Sequence, residues 1–289
     1  MISQLFDFQI VIQNNIMFRN IIFITIILLL QSCHKTDHEI VNLNNNKIDV
    51  LGHAGMGISS SYPINSFESI TKALALGADG TELDVQLTAD GVLVVYHDQN
   101  LESSTNKSGI INDLTWAEIQ GAHYTQIPYH DYKVVTLESV FAYTENLTDY
   151  RFALDCKLYS SIPDSNFLQV YASQLTSLLN TYKSPSKTII ESPDPELLKH
   201  IHQQGSNYLL FWYSNNIATT LEEAENWPID GFTLRDDQAS FEEIHDAHDE
   251  GYLVALYNTQ SKSENIKAIE KNPDIIQTDK LKHLIKSLH

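Results

Sequence analysis

Residues 77–101 read GADGTELDVQLTADGVLVVYHDQNL, and this stretch decides the fold. One strand is predicted within 77–86 and a second at 92–97, because short apolar runs lie on either side of the turn signal Asp90-Gly91. Directly before them, residues 65–76 carry apolar side chains at helical spacing. The chain therefore changes from helix to strand here, and the same change recurs along the rest of the sequence.

Strand-like runs alternate with amphipathic helical stretches in the part of the chain after residue 49. Nine strand-like runs are predicted, close to the eight strands of a barrel, and helices separate most of them. Besides the two above, the predicted strands are 50–53, 151–158, 187–192, 207–213, 230–234, 251–257 and 274–278. Alternation of this kind is typical of parallel βαβ units.

The fold class that fits this pattern is α/β, a single-domain (β/α)8 TIM barrel over residues 49–289. The length is close to the ~250 residues typical of such a barrel. A doubly wound sheet is the rival, but the sequence lacks the Gly-rich phosphate-binding fingerprint of that fold. Residues 98–150 are looser and more polar, with one helical piece around Trp116, and they predict a small insertion.

Charge and composition exclude several classes of function. The 289 residues include 18 Lys and Arg against 37 Asp and Glu, a formal charge of −19. Such a surface repels nucleic acid and anionic lipid head groups, so we expect no nucleic-acid partner. A small anionic substrate would need local positive charge, for which a metal ion is the natural source. Two cysteines are too few for a disulfide scaffold or a four-thiolate zinc site.

Catalytic residues of a parallel barrel lie at the C-terminal ends of its strands. Seven polar residues lie at or near the ends of predicted strands. They are His53, Glu82, Asp84, His97, Asp155, Lys157 and Glu191. Because side chains alternate along a strand, Glu82 and Asp84 share one face, and so do Asp155 and Lys157.

Three carboxylates and a lysine in one barrel mouth would be costly without a further partner. A divalent cation resolves the repulsion, and oxygen ligands select Mg2+ or Ca2+ over zinc, which leaves nearby histidines free for proton transfer. Each piece has a plainer interpretation, since an E-x-D pair is more often a solvated face and a lone strand-end histidine is more often structural. Their joint occurrence at several strand ends favours an active site.

The stretch at 77–101 resembles the signature of the glycerophosphodiester phosphodiesterase family, G-A-D-x-I-E-x-D-V-x-x-T-x-D-G-x-x-V-x-x-H-D-x-x-L. The residues that match it are Gly77, Ala78, Asp79, Glu82, Asp84, Val85, Thr88, Asp90, Gly91, Val94, His97, Asp98 and Leu101. Further similar motifs are GHAG at 52–55, YPINSFESI at 62–70, VTLESV at 135–140, LDCK at 154–157 and DIIQTDKL at 274–281.

The resemblance implies an acid/base pair, three ligands of one divalent cation, a lysine near the substrate phosphate and an aromatic residue against the substrate. In that order, the matching residues are His53 and His97; Glu82, Asp84 and Asp155; Lys157; and Tyr257, where the family often has Trp. The resemblance assigns no firm role to Glu191.

Three positions depart from the family pattern. Ala54 stands where the family usually has Arg, Ile64 where it has Glu, and Asp155 where the third ligand is usually Glu. Loss of the arginine removes a fixed, bidentate phosphate contact. Arg235, at the end of a predicted strand, would supply that contact from across the barrel in one interpretation, and forms a surface ion pair with a neighbouring aspartate in the other.

The reaction that the resemblance implies is metal-dependent hydrolysis of a small glycerophosphodiester to an alcohol and glycerol phosphate. Two alternatives stay open. A sphingomyelinase-D-like reaction would give a cyclic phosphate, and the related venom-type phospholipase D enzymes also lack the arginine. A catalytically degenerate barrel would bind phospholipid without turnover, although the two histidines and three carboxylates argue against this.

The N-terminus carries a targeting pattern. Residues 21–30, IIFITIILLL, are too few to span a bilayer, which takes ~20 residues. They fit the apolar core of a signal peptide with Arg19 as its positive flank. We interpret residues 1–32 as this signal, with translation starting at Met17, because the stretch before it has no positive charge.

The residues that follow the signal resemble the lipobox of bacterial lipoproteins. The resemblance implies cleavage before Cys33 and lipidation of its thiol, whereas an ordinary secretory signal would leave this cysteine incidental. Residues 33–48 are polar and Asn-rich and predict a flexible tether. The expected protein is exported and anchored by lipid to a bacterial membrane, in the periplasm or at the cell surface.

Overall fold

The computed structural model describes residues 38–126, 128–159, 165–183, 188–205 and 208–288. The predicted signal peptide and Cys33 lie outside these residues. Ten strands are described: β1 (Asp49–Gly52), β2 (Gly80–Leu87), β3 (Leu93–Val95), β4 (Val135–Thr136), β5 (Arg151–Cys156), β6 (Ile189–Ser192), β7 (Leu209–Ser214), β8 (Gly231–Arg235), β9 (Leu253–Thr259) and β10 (Ile275–Thr278).

The described residues also form nine α-helices. They are α1 (Phe67–Ala75), α2 (Trp116–Ile119), α3 (Leu137–Tyr143), α4 (Ser165–Thr181), α5 (Pro195–Gln203), α6 (Ile217–Ala224), α7 (Phe241–Asp249), α8 (Lys262–Glu270) and α9 (Leu281–Leu288). Helix α1 begins where the sequence supplies a cap: the Ser66 side chain accepts a hydrogen bond from the N–H of Ser69. Its buried face, which includes Ile70 and Leu74, packs against the barrel.

Eight of the strands form a closed parallel barrel. The hydrogen-bonded order is β1-β10-β9-β8-β7-β6-β5-β2, and a further pairing of β1 with β2 closes the ring. This topology confirms the predicted (β/α)8 TIM barrel. The register places Asp84 beside Asp155, and Asp155 beside Glu191, on three neighbouring strands.

Strand β3 lies outside the barrel. It pairs antiparallel with β2, with Val85 opposite Val95, and antiparallel with β4. The interpretation of residues 92–97 as a barrel strand was therefore wrong, because the Asp90-Gly91 turn folds this strand back onto β2 as a hairpin. The predicted insertion begins at β3 rather than at residue 98, and it has an apolar core of its own. Its buried members are Val94, Tyr96, Leu101, Ile111, Ile119, Ala122, Tyr124 and Val134.

The barrel interior is layered. Its lower layer is an apolar plug formed by Leu51, Ala153, Ile189, Phe211, Ala255 and Ile275. Because side chains alternate along a strand, the residue two positions further on faces the same interior. Asp155 therefore lies above Ala153, and Glu191 above Ile189, so the fold places carboxylates directly above an apolar floor.

The described part of the predicted tether is bound to the barrel. The Val41 N–H donates to the Asn272 side chain at 3.0 Å, and the Asn44 N–H donates to the Asp274 side chain at 2.8 Å. This segment is therefore held against the loop before β10, and the expectation of a free tether does not hold for it. Within the described ranges, no helix has both the length and the apolar character needed to cross a bilayer.

Candidate active site

A cluster of three buried carboxylates lies at the C-terminal end of the barrel. Glu82 and Asp84 come from β2 and Asp155 from the adjacent β5, and each of them offers an oxygen within 4.8 Å of the other two. All three residues are at most 8% exposed. The strand faces predicted from the sequence therefore bring these three residues together. Three acidic groups this close and this buried require a positive partner.

Lys157 supplies part of that charge. Its Nζ lies 2.9 Å from Asp84 Oδ1 and 2.6 Å from Asp155 Oδ2. Burial alone would lower the pKa of Lys157, but Asp84 and Asp155 outweigh it and hold the pKa above its ordinary value. The lysine therefore stays charged and neutralises one carboxylate of the cluster.

Lys157 does not balance the negative charge of all three carboxylates, and the excess is seen in the pKa of Glu82. Its burial, followed by repulsion from Asp84 and Asp155, raises its pKa well above the ordinary value. Burial would also raise the pKa of Asp84, but the charge of Lys157 outweighs this and lowers it. One Glu82 oxygen accepts the Ala54 N–H at 2.8 Å, while Oε1 is buried without a hydrogen-bond partner among the described residues.

Ala54 and Asn65 hold the cluster from outside the strands. Both have left-handed backbones, with φ of 47° and 63°. The Ala54 side chain is only 1% exposed, so a longer side chain at this position would require local rearrangement. Asn65 is fully buried beside Asp84, and Ile64, next to it, is half-buried with its carbonyl accepting the Tyr124 hydroxyl at 3.0 Å.

The two predicted acid/base residues stand at the edge of the carboxylate cluster and are held differently. His53 directly follows β1, and its Nδ1 lies 2.9 Å from Asp279 Oδ1. Burial would lower the pKa of His53, but the hydrogen bond to Asp279 and its charge outweigh burial and raise the pKa. His97 follows β3 and is more exposed, with Nδ1 2.9 Å from Asp98 Oδ1. It reaches the site from the hairpin rather than from a barrel strand.

Glu191 lies deeper in the barrel beside Asp155. Its Oε1 accepts hydrogen bonds from Thr233 Oγ1 at 2.9 Å and from Gln277 Nε2 at 2.6 Å. Burial and the nearby charge of Asp155 raise the pKa of Glu191 to about 8. Glu191 therefore lies outside the group of three carboxylates and is held in place by its hydrogen bonds with Thr233 and Gln277.

A cavity of about 220 Å3 lies over the cluster. Tyr213 and Tyr257 form one wall, with ring centroids 5.0 Å apart. The remaining lining residues are His53, Ile58, Glu82, Asp84, His97, Asp155, Lys157, Asn258 and Gln277. A cavity of this size and polarity suits a small polar group rather than a lipid tail.

Arg235 is the one predicted contact that does not line this cavity. It ends β8 beside Tyr257 in the register, but its side chain is exposed. Its Nε lies 2.7 Å from Asp237 Oδ1, and a second guanidinium nitrogen donates to Asp237 Oδ2 at 3.0 Å. The structure thus contains the surface ion pair that was the alternative interpretation, and the phosphate contact stays a prediction.

Sequence reasoning missed three residues of the site. Asn65 and Asp279 both lie in motifs that resemble the family, but nothing in their spacing indicated a contact with Asp84 or His53. Tyr213 lies in an apolar strand, where an aromatic residue is normally interpreted as part of the hydrophobic core. The alternation of side chains along β7 was the available signal, because the aligned Glu191 and Phe211 both face the interior and Tyr213 is two residues beyond Phe211.

A sequence profile of the glycerophosphoryl diester phosphodiesterase family matches residues 56–283. The chain belongs to this family. The match spans the signature stretch and β2–β10, and it leaves out β1, residues 53–55 and most of α9.

Individual relatives match over shorter stretches. A glycerophosphodiester phosphodiesterase of Bacillus altitudinis is 36% identical over 110 residues, which are 38% of this chain and 45% of the relative. One from Bacillus subtilis is 30% identical over 169 residues, covering 55% of this chain and 57% of the relative. The chain thus spans about half the length of the curated relatives it matches.

Solved structures agree on the fold. A phosphodiesterase of Oleispira antarctica, solved in complex with the product sn-glycerol-3-phosphate, superposes with a TM-score of 0.73. It is 18% identical, and the superposition covers 83% of this chain and 96% of that one. A glycerophosphodiester phosphodiesterase of Parabacteroides distasonis gives a TM-score of 0.71 at 22% identity, covering 84% and 97%. At these identities the likeness supports the barrel fold.

Proposed function

We propose that the protein hydrolyses small glycerophosphodiesters to an alcohol and glycerol phosphate, with one divalent cation bound by Glu82, Asp84 and Asp155. The observation that carries the proposal is the convergence of these carboxylates, two histidines and Lys157 around one small cavity. Family membership and the product complex of the Oleispira antarctica structure support the same reaction class.

The carboxylate cluster fits a hard divalent cation. Its donors are oxygens, which Mg2+ and Ca2+ prefer. Glu82 Oε1 is buried and unpartnered, and the raised pKa of Glu82 records an excess of negative charge that Lys157 alone does not balance. A cation bound here would polarise the phosphate and lower the cost of the negative charge that develops in the transition state.

The chain's own residues supply binding and proton transfer. Lys157 holds its ammonium group against Asp84 and Asp155, where it would attract a phosphodiester oxygen. His53 and His97 line the same cavity, so one would take a proton from the attacking water and the other would give a proton to the leaving alkoxide. Asp279 and Asp98 each bind Nδ1 of one histidine, which leaves Nε2 of each ring for the substrate.

Product analysis tests the reaction. The purified protein would be incubated with glycerophosphocholine and glycerophosphoethanolamine, with Mg2+ or Ca2+ and with excess chelator. We expect glycerol phosphate by phosphorus NMR with either or both cations, and none with chelator. A cyclic phosphate product would instead support the sphingomyelinase-D-like reaction, and full activity in chelator would contradict the role of the cation.

Histidine variants test the assignment within the site. His53→Ala and His97→Ala should each reduce kcat by ~10²-fold or more, the range for loss of a general acid or base. His130→Ala is the matched control, because His130 is exposed in the insertion, pairs with its neighbour Asp131 and does not line the active-site cavity. Binding of substrate without turnover by the unmodified protein would point to a degenerate barrel.

We propose further that the protein is exported and lipid-anchored through Cys33. The support is the lipobox-like sequence that follows the apolar run at 21–30. Expression of the full chain in a bacterial host with labelled palmitate should label the protein and place it in the membrane fraction, and Cys33→Ala should abolish both. An unlabelled, soluble wild-type protein would contradict the anchor.

A further inference from the structure

A second cavity, of about 470 Å3, opens beside the candidate active site at the same end of the barrel. Its walls come from the segments that follow β1, β9 and β10. The two cavities share a boundary: Ile58 lines the active-site cavity, while Ser59 and Asp279 line the second. Asp279 is also the residue bound to His53, so the second cavity begins directly behind a proposed catalytic residue.

This second cavity is basic, although the protein as a whole is strongly acidic. Four lysines line it, in a chain with 18 basic against 37 acidic residues. They are Lys72, Lys262, Lys280 and Lys282. Within the described part of the chain, the lysines that have a carboxylate within 4.0 Å are Lys47, Lys157, Lys199 and Lys271, and none of these lines the cavity. None of the four cavity lysines therefore forms an ion pair with a described carboxylate, and together they make this part of the surface locally positive.

The surrounding groups fit an anion. Lys280 Nζ donates to Ser59 Oγ at 2.6 Å, and Ser60 and Ser61 also line the cavity, although the Ser60 hydroxyl donates to the Tyr62 carbonyl. His283, also in the wall, has its pKa lowered first by burial and then by the charges of Lys262 and Lys286, so part of this shift reflects nearby positive charge. The only carboxylate in the wall, Asp279, is turned to His53 and to the Ile58 N–H.

The position of the cavity in the barrel supports the same conclusion. β9 and β10 are the seventh and eighth strands of the barrel, and TIM barrels often bind phosphate at the loops after these strands. Helices α8 and α9 both begin at this cavity, and helix N-termini favour anions. A solvated lysine-rich face would lie along one helix, whereas these lysines converge from three separate segments on one concavity.

We infer that this second cavity is a subsite for an additional anionic group, a carboxylate or a phosphate, carried by the alcohol part of the substrate. The inference rests on the proposed function and adds a substrate preference to it. With the scissile phosphodiester over the carboxylate cluster, an alcohol part that extends past His53 reaches the lysines. The basic cavity also offers an acidic protein a local field that attracts polyanionic substrates.

Matched substrate pairs test this preference. Glycerophosphoserine differs from glycerophosphoethanolamine by one carboxylate, and glycerophosphoinositol 4-phosphate differs from glycerophosphoinositol by one phosphate. For at least one pair we expect kcat/KM to be ~10-fold or more higher for the more anionic member, the effect of a charge-assisted hydrogen bond. The preference should shrink as salt is raised, because Lys262 and Lys282 are exposed. Equal kcat/KM within both pairs would overturn the inference while leaving the hydrolase function intact.

Two double variants separate local from overall charge. K262Q/K282Q removes one lysine of the cavity from each of α8 and α9, and should reduce the preference to about twofold or less. K267Q/K286Q removes one lysine from each of the same helices outside the cavity wall, with the same change in net charge, and should retain most of the preference, because only the charge of Lys286 reaches the wall, at His283. An equal loss of preference in both variants would show a general charge effect and would overturn the subsite.

A binding measurement covers the case in which no substrate is turned over. Sulfate, titrated into the cation-free protein, should shift the backbone amide signals of residues 59–62 and 281–283 in nitrogen–proton NMR spectra. K262Q/K282Q should weaken this binding ~10-fold or more, and K267Q/K286Q should not. The subsite would be rejected if these shifts were absent and the paired substrates were either turned over at equal rates or not turned over at all. Absence of turnover with lysine-dependent sulfate binding would reject only the proposed hydrolysis.

Discussion

Asn65 holds Asp84 by two hydrogen bonds at once. Its Nδ2 donates to Asp84 Oδ2 at 2.6 Å, and its Oδ1 accepts the Asp84 backbone N–H at 3.1 Å. Both residues are buried, and the left-handed backbone of Asn65 turns its side chain into the site just before α1 begins. Asn65 therefore fixes the position of a proposed cation ligand without being one.

The first prediction follows from this contact. Asn65→Ala should raise the Kd for Mg2+ or Ca2+ by ~10–100-fold, the usual cost of losing a residue that orients a metal ligand. The measurement is calorimetric titration of the cation. Asn146→Ala is the matched control, because Asn146 also has a left-handed backbone, with φ of 53°, but it is exposed and lies after α3. Equal cation affinity in both variants would contradict the orienting role.

The second prediction concerns Glu82, whose buried charge destabilises the cation-free protein. Glu82→Gln keeps the acceptor for the Ala54 N–H and removes the repulsion from Asp84 and Asp155. Its melting temperature without cation should be higher than wild type by a few degrees, since ~1 kcal/mol corresponds to ~2–4 °C for a protein of this size. Wild type should gain ~5–10 °C at cation concentrations ~100-fold above Kd, and the variant should gain almost nothing.

Thermal melts with and without chelator measure both effects. Glu196→Gln serves as the control, because Glu196 is a half-exposed glutamate on α5 paired only with Lys199. A Glu82→Gln protein that melts below wild type without cation, yet still gains stability when the cation is added, would show that Glu82 is a packing residue rather than a ligand.

The third prediction concerns pH and the pair of His53 with Asp279. Burial acts to lower the pKa of His53, but Asp279 outweighs it and raises the pKa. A raised folded pKa stabilises the fold fully below the unfolded value of ~6.5, and this contribution disappears as pH rises through the folded pKa. Asp279→Asn should therefore reduce stability more at pH 5 than at pH 9.

The same variant should move one limb of the pH dependence of kcat/KM. Asp279→Asn lowers the pKa of His53, so the limb that His53 sets should shift to lower pH, whether this histidine acts as acid or as base. Asp98→Asn provides the comparison at His97, whose partner is half-exposed and should matter less. A pH profile that Asp279→Asn leaves unmoved would exclude His53 from the rate-determining proton transfer.

The sequence predicted the barrel and the face of each carboxylate, but it misplaced His97. Strand periodicity identified the shared face of the carboxylates because side chains alternate along a strand, although both faces of β2 and β5 are buried. The same periodicity does not distinguish a parallel from an antiparallel strand, so β3 was interpreted as part of the barrel. Asn65 and Asp279 were missed because contacts between residues far apart in the chain follow from tertiary packing, which local spacing does not encode, whereas the alternation along β7 could have identified Tyr213.

The last prediction concerns Arg235, the residue proposed from the sequence to replace the arginine absent at Ala54. Arg235 is exposed and paired with Asp237, and it does not line the active-site cavity, whereas Tyr257, its neighbour in the register, does. Exposed ion pairs contribute ~0–1 kcal/mol. Arg235→Ala should therefore change kcat/KM by less than about twofold and leave the melting temperature within a few degrees of wild type.

Tyr257→Ala is the positive comparison, because it removes one of the two tyrosines that form a wall of the cavity. It should raise KM ~10-fold, as expected for loss of an aromatic contact of ~1–2 kcal/mol. The measurement is steady-state kinetics of both variants on one substrate. A sharp rise in KM for Arg235→Ala with unchanged kcat would mean that the arginine leaves Asp237 to bind the phosphate. Without that rise, Lys157 is the one phosphate contact proposed for the described residues of the chain, and the proposed cation would supply the positive charge that the family arginine supplies elsewhere.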